Sequence, residues 1–187
     1  MFVRTRKSSG LLLALRNSTS LYVRVYLEGG KLAMLAPNSI KLLGKHPIND
    51  GNFYLITLKI EPNMLELFQS SQYLGFISTP VLTTQSKDFL YIGGLPDNRE
   101  TDRNGGYFKG CIQDVRVNNQ PLEFFSLTNS LNSFINRTLI NVTQGCSGDN
   151  LCKVRMTVFI AFSCIYCGGF KKKNQKPEPY ILYNISW

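Results

Sequence analysis

The chain has 187 residues, 43% of them hydrophobic, with 21 Lys and Arg against 12 Asp and Glu for a formal net charge of +9. Such a length and composition supports one sizeable core plus an extension and excludes wholesale disorder. The charge is uneven: residues 151–187 hold six basic residues and one acidic residue, so a basic tail carries over half the excess, and with no nucleic-acid motif present, nucleic acid is excluded as a partner.

The elements expected are short strands. Residues 11–15 form an apolar run after Gly10. Residues 21–27 alternate, with Leu21, Val23, Val25 and Leu27 on one face and Tyr22, Arg24 and Tyr26 on the other. Glu28-Gly29-Gly30 then turns the chain into Lys31–Leu35, a hairpin signal. After the turn at Asn49-Asp50-Gly51, Tyr54, Ile56, Leu58 and Ile60 make the core face of the next strand. Glu61-Pro62-Asn63 leads into residues 64–68, a second hairpin. Residues 89–92 form a strand ended by Gly93-Gly94, and residues 111–117 form another. One short helical turn is expected within residues 120–131. Many short strands without a long helical period predict two antiparallel sheets packed face to face.

Catalytic chemistry finds no set of residues to carry it. His46 is the only histidine, in the turn-like Gly44-Lys45-His46-Pro47, and no Ser–His–Asp or Cys–His arrangement assembles around it. Gly93-Gly94 follows a strand but lacks the spacing and helix of a phosphate cradle. Cys164-Ile165-Tyr166-Cys167 lacks the α/β setting of a redox motif and the second pair that zinc requires. No catalytic residue, metal ligand or cofactor is therefore expected.

The five cysteines are Cys111, Cys146, Cys152, Cys164 and Cys167, an odd count that leaves a thiol over when the others pair within the chain. Cys111 and Cys146 fit a structural role best, because they flank the most polar stretch. Closing that loop in an oxidising compartment stabilises by roughly 2–4 kcal/mol. Four Asn-X-Ser/Thr sequons, at Asn17, Asn136, Asn141 and Asn184, point to glycosylation on a secretory route. No signal peptide is visible, since the run at 11–15 is too short and ends at Arg16. The start thus reads as an interior point of a larger protein.

Composition shifts after residue 150. Residues 156–170 carry no charge and are followed by a basic segment, 171–176, and then Pro177 and Pro179. Fifteen helical residues reach about 22 Å, against roughly 30 Å of bilayer hydrocarbon. The expectation is a non-domain tail, 151–187, that docks on the sandwich or touches anionic lipid loosely rather than spanning a membrane.

The residues Phe89-Leu90-Tyr91-Ile92-Gly93-Gly94-Leu95-Pro96 and Phe108-Lys109-Gly110-Cys111-Ile112-Gln113-Asp114-Val115 resemble the end of a laminin G-like domain. Asn49-Asp50-Gly51-Asn52-Phe53-Tyr54 resembles that family's Asp-Gly-x-Trp-His segment, with Phe53 and Tyr54 replacing Trp and His. Ser9-Gly10-Leu11-Leu12-Leu13-Ala14 is similar to an early strand. The nearest likeness, helped by the stretch from Asn141 to Asn150, is to the laminin G-like domains of Crumbs-type cell-polarity proteins. The resemblance implies an all-β jelly-roll sandwich over residues 1–150, its N-terminal strands missing. It also implies a Cys111–Cys146 disulfide, an ectodomain shared with EGF-like modules, an apical membrane location and no enzymatic activity. Leu151-Cys152-Lys153 resembles the entry to such a module. Calcium is disfavoured, because the loop where calcium-binding members place an acidic ligand reads Ala36-Pro37-Asn38-Ser39. Partners are expected among other ectodomains or cell-surface glycans, with Lys41, Lys45 and Arg103 as loop cations able to meet a sulfated glycan. The competing readings are an adhesion fragment anchored in a membrane by 156–170 and a glycan-processing enzyme.

Overall fold

The computed structural model describes residues 1–17, 20–79, 88–122, 137–140, 142–144, 163–165 and 180–185. In chain order the strands are β1 (Phe2–Arg4), β2 (Gly10–Arg16), β3 (Leu21–Glu28), β4 (Lys31–Leu35), β5 (Leu42–Pro47), β6 (Tyr54–Glu61), β7 (Met64–Gln69), β8 (Gln72–Ser78) and β9 (Asp88–Ile92). The helix α1 (Asn98–Arg103) follows. Then come β10 (Gly110–Gln113), β11 (Arg116–Val117), β12 (Gln120–Pro121), β13 (Arg137–Ile140), β14 (Val142–Gln144), β15 (Ser163–Ile165) and β16 (Tyr180–Ile185).

Among the described residues two seven-stranded sheets form. One has the order β14-β15-β10-β1-β6-β7-β8, the other β13-β16-β9-β2-β3-β4-β5, and β11 and β12 make a separate ribbon. Neighbouring strands are antiparallel. The sheets share one core. Val3, Ile56, Leu65, Leu67, Ile77 and Ile112 enter it from the first sheet, and Leu12, Val23, Val25, Leu27, Leu32, Met34, Leu90 and Ile92 from the second. Each such side chain contributes roughly 1.5–3 kcal/mol when fully buried. The fold is the all-β sandwich expected from the alternation.

Local sequence explains most of this. Gly29 and Gly30 take φ of 57° and 81°, the pair of left-handed residues a tight hairpin needs, and Glu28 lies opposite Lys31 across it. In β6, Ile56 is buried, with Tyr54, Leu58 and Ile60 packed against the core. The apolar run of β2 is buried on both faces, and the register shift with β3 between Leu11 and Leu13 changes the phase of its alternation. Leu12 joins the main core, while Leu11 and Ala14 pack with Tyr91 and Leu95 in a second cluster.

Residues 111–117 are not the single strand expected. β10 ends at Gln113, Asp114 takes φ of 47°, and the chain restarts as β11. Aspartate tolerates this left-handed conformation, and its carboxylate accepts a bond from Arg116 Nε at 2.8 Å. The break turns Val115 into the core. Within 120–131, where one helical turn is expected, Gln120–Pro121 form β12, and residues 123–131 lie outside those described. The segment after residue 150 contributes β15 and β16 to the two sheets. The rest of 156–170 lies outside the described residues, among which no helix is long and apolar enough to cross a membrane.

Candidate functional site

At one rim of the sandwich, backbone bonds gather four separate loops. The Gly30 N–H donates to the Ser8 carbonyl at 2.8 Å, Leu11 N–H to the Gly106 carbonyl at 2.7 Å and Phe108 N–H to the Gly93 carbonyl at 2.8 Å. Gly10 has φ of 147°, and a Cβ there would lie 2.9 Å from Phe108 Cα. Glycine is what lets β2 begin this close to the 105–109 loop.

The helix α1 is fixed at both ends. Asp97 caps it by accepting the Glu100 N–H at 3.1 Å, the usual work of an N-cap carboxylate. The buried Thr101 hydroxyl accepts the Leu95 N–H at 3.0 Å and faces the carbonyls of Leu95 at 3.1 Å and Asp97 at 2.9 Å. Asn104 donates through Nδ2 to the Glu100 carbonyl at 2.7 Å, and its Oδ1 accepts from Arg24 Nη1. Arg16 pairs with Glu100 at 2.7 Å. These bonds seat the end of α1 against β2 and β3.

Two adjoining clefts result, of about 370 Å³ and about 340 Å³, with Ser9 and Gly105 common to both. The first is bordered by Lys7, Lys109, Asp102 and Tyr107. The second is bordered by Arg24, Arg103, Tyr26 and Glu28. Thr5 holds the two lysines' backbones together, its hydroxyl donating to the Lys109 carbonyl at 2.6 Å and accepting the Lys7 N–H at 2.9 Å.

Charge at the rim is unbalanced. Lys41 Nζ donates to both Glu28 oxygens, at 2.7 and 2.9 Å. That bond holds the Glu28 carboxyl below the usual carboxylate range and the Lys41 ammonium above its own. Burial, then the nearby Glu28 charge, raises the Tyr26 phenol. With Glu28 already matched by Lys41, the clefts present Lys7, Arg24, Arg103 and Lys109 against Asp102. An anionic ligand group is what this arrangement can accept.

The residues expected to meet a glycan divide. Arg103 lines the second cleft, and Lys41 sits on its border through Glu28. Lys45 is exposed on β5 and lines neither cleft. Lys7, Arg24 and Lys109 were absent from the expectation, and only topology joins them. The loop at 36–39 closes on itself, its Ser39 hydroxyl donating to the Ala36 carbonyl at 2.7 Å and accepting the Ala36 N–H at 3.0 Å. Among the described residues no three His, Cys, Asp or Glu converge to hold a metal ion.

Cys111 is buried and disulfide-bonded. Its Cα lies opposite Cys164 across β10 and β15, while Cys146, Cys152 and Cys167 lie outside the described residues. Asn17 is half-buried in a turn, accepting the Ser20 N–H at 2.7 Å. Asn184 falls within β16, opposite Phe89. Asn136 and Asn141 lie outside the described residues.

The family model described as Laminin G domain matches residues 3–120. Protein crumbs homolog 1 of Mus musculus is 56% identical over 153 residues, covering 82% of this chain and 11% of that protein. Protein crumbs homolog 2 of Homo sapiens is 28% identical, covering 80% of this chain and 11% of that protein. The chain thus spans about a tenth of the length of these curated relatives. Mouse laminin alpha1 chain domains LG4-5 superpose with a TM-score of 0.55 at 21% identity, over 65% of this chain and 35% of that one. The LG1-3 region of the laminin alpha2 chain gives 0.52 at 14% identity, over 78% and 33%. Both likenesses concern the fold. The chain belongs to the laminin G domain family and is closely related to Crumbs homologs.

Proposed function

We propose that this module serves an apical, Crumbs-type ectodomain alongside EGF-like modules, and that its rim binds a sulfated cell-surface glycan. The observation that carries the glycan reading is the set of cations around Ser9, namely Lys7, Arg24, Arg103 and Lys109, brought together from two loops, β3 and the end of α1 and outnumbering the carboxylates that line the clefts. The secretory sequons support the extracellular route, and Asn17, Asn136, Asn141 and Asn184 are its acceptor sites.

The test is retention on immobilised heparin across a salt gradient, since contacts between exposed charges weaken as salt rises. The Lys7→Ala/Arg103→Ala/Lys109→Ala chain is expected to elute at distinctly lower salt than the unmodified chain, while Lys45→Ala elutes with it. Unchanged elution of the triple variant overturns the rim reading. Retention that disappears only when 171–176 lose their lysines assigns binding to the basic segment, and with it the loose contact to anionic membrane.

A further inference from the structure

β13 and β14 are separated by one residue and belong to different sheets. One antiparallel line of pairing runs along both. Arg137 lies opposite Tyr183 and Ile140 opposite Tyr180, then Val142 lies opposite Ile165 and Gln144 opposite Ser163. On the other flank β16 pairs with β9, from Ile181 opposite Ile92 to Ile185 opposite Asp88. There β15 pairs with β10, from Gly110 opposite Ile165 to Ile112 opposite Ser163. Two short pieces of the C-terminal segment therefore fill one strand-wide position that crosses both sheets.

That position has hydrogen-bonding edges on each side. Without β15 and β16, the strands β9 and β10 on one flank and β13 and β14 on the other would each present a row of unpaired N–H and C=O groups. Such rows are templates for another strand. The occupant suits them, because Tyr180-Ile181-Leu182-Tyr183-Asn184-Ile185 is uncharged and rich in aromatic and branched residues, the composition favoured in strands. It also arrives from far along the chain, so its place is held by the sheet edges and not by a tight turn.

We infer that the position between β9/β10 and β13/β14 is a strand-acceptor site. Tyr180–Ile185 fills it in cis. An extended, uncharged peptide rich in aromatic and branched residues fills it in trans when the cis strand is displaced, by the main-chain pairing that lets a peptide add to a sheet edge.

The full chain carrying Leu182→Pro and Tyr183→Pro tests this. Successive residues of a strand direct their N–H groups to opposite neighbours, so the two prolines remove one donor toward each flank. The probe is a fluorescently labelled peptide of the sequence 179–187, followed by anisotropy. Binding is expected to be saturable and at least tenfold tighter to the double variant than to the unmodified chain, whose own strand occupies the site. Equal binding to both chains, or none to a double variant that still unfolds cooperatively, overturns the proposal. Should the variant fail to fold, hydrogen exchange on the unmodified full chain decides. Amides of residues 181–185 protected to within tenfold of those in 89–92 support the site, and weaker protection overturns it.

Discussion

The strands up to β10 and the four from β13 onward reach the same two sheets by different routes. In the first group β3 pairs with β4, β6 with β7 and β7 with β8, each through a turn of a few residues. Turn chemistry and side-chain burial there specify the same register. In the second group β13 pairs with β16, β14 with β15, β15 with β10 and β16 with β9, all across long stretches of chain. What fixes those strands is the edge that the first group leaves unpaired at β9 and β10. The first group also closes through long-range pairs, β1 with β10 and with β6, and β2 with β9. The contrast is therefore between a sandwich seeded by local hairpins and later strands that have no local hairpin at all.

The largest expected effect breaks the first group. Phe108 is fully buried in the core shared by both sheets. Phe108→Ala is expected to destabilise by about 3–5 kcal/mol, from lost transfer energy plus the cavity left behind, read from the urea unfolding midpoint. If the later strands rest on the first group, hydrogen exchange in this variant deprotects Tyr180–Ile185 together with β9. A C-terminal strand that stays protected while β9 opens would show that the second group does not depend on the first.

What the sequence discloses follows the same division. The hairpins β3–β4 and β6–β7 are legible because alternation meets glycine- and asparagine-bearing turns. The strands β5 and β8 are not, and both stand at sheet edges. β5 carries Gly44, Lys45, His46 and Pro47, the kinds of residue that keep an edge from pairing further and that also erase period two. The helix α1 has six residues, too few for a helical period, although Asp97 followed three residues later by Glu100 is a capping signal that marks its start. At the rim, Lys41 and Arg103 read as loop cations, whereas Lys7, Arg24 and Lys109 meet only through topology. The uncharged run at 156–170 invites a membrane reading by composition, although it is too short to span the hydrocarbon. Its residues Ser163–Ile165 are strand β15, because a strand needs a partner edge that no local pattern announces.

The two groups are also joined covalently, which sets the next effect in size. Cys111 lies in β10 and is disulfide-bonded, and every other cysteine stands at residue 146 or beyond. The bond therefore ties the first group to the later part of the chain. Cys111→Ser is expected to lower stability by roughly 2–4 kcal/mol in oxidised protein, with the unfolding midpoint as the measure. We expect Cys146 as the partner on family grounds, and non-reducing peptide mapping identifies it. A Cys111–Cys164 peptide, which the opposed register of β10 and β15 permits, would replace that pairing and place the crosslink inside the ladder of the second group.

The smallest effect concerns a turn of the first group. Asp50 accepts the Asn52 N–H at 2.9 Å, the Tyr54 hydroxyl at 2.8 Å and the Asn52 side-chain amide at 2.9 Å. The Asn52 backbone bond, followed by the Tyr54 hydroxyl, holds the carboxyl below its ordinary range. A carboxylate depressed in the folded state stabilises above its unfolded pKa of about 4, and that stabilisation is lost as pH falls through the lower folded value. An NMR titration should therefore move the Asn52 amide with a midpoint below about 4, and Asp50→Asn should abolish the movement. The turn is specified by its own side chains, so Ile181, Leu182 and Tyr183 are expected not to share that midpoint. If they titrate with Asn52, the two groups are coupled through this loop, and local specification of the first group fails where its sequence signal is among the clearest.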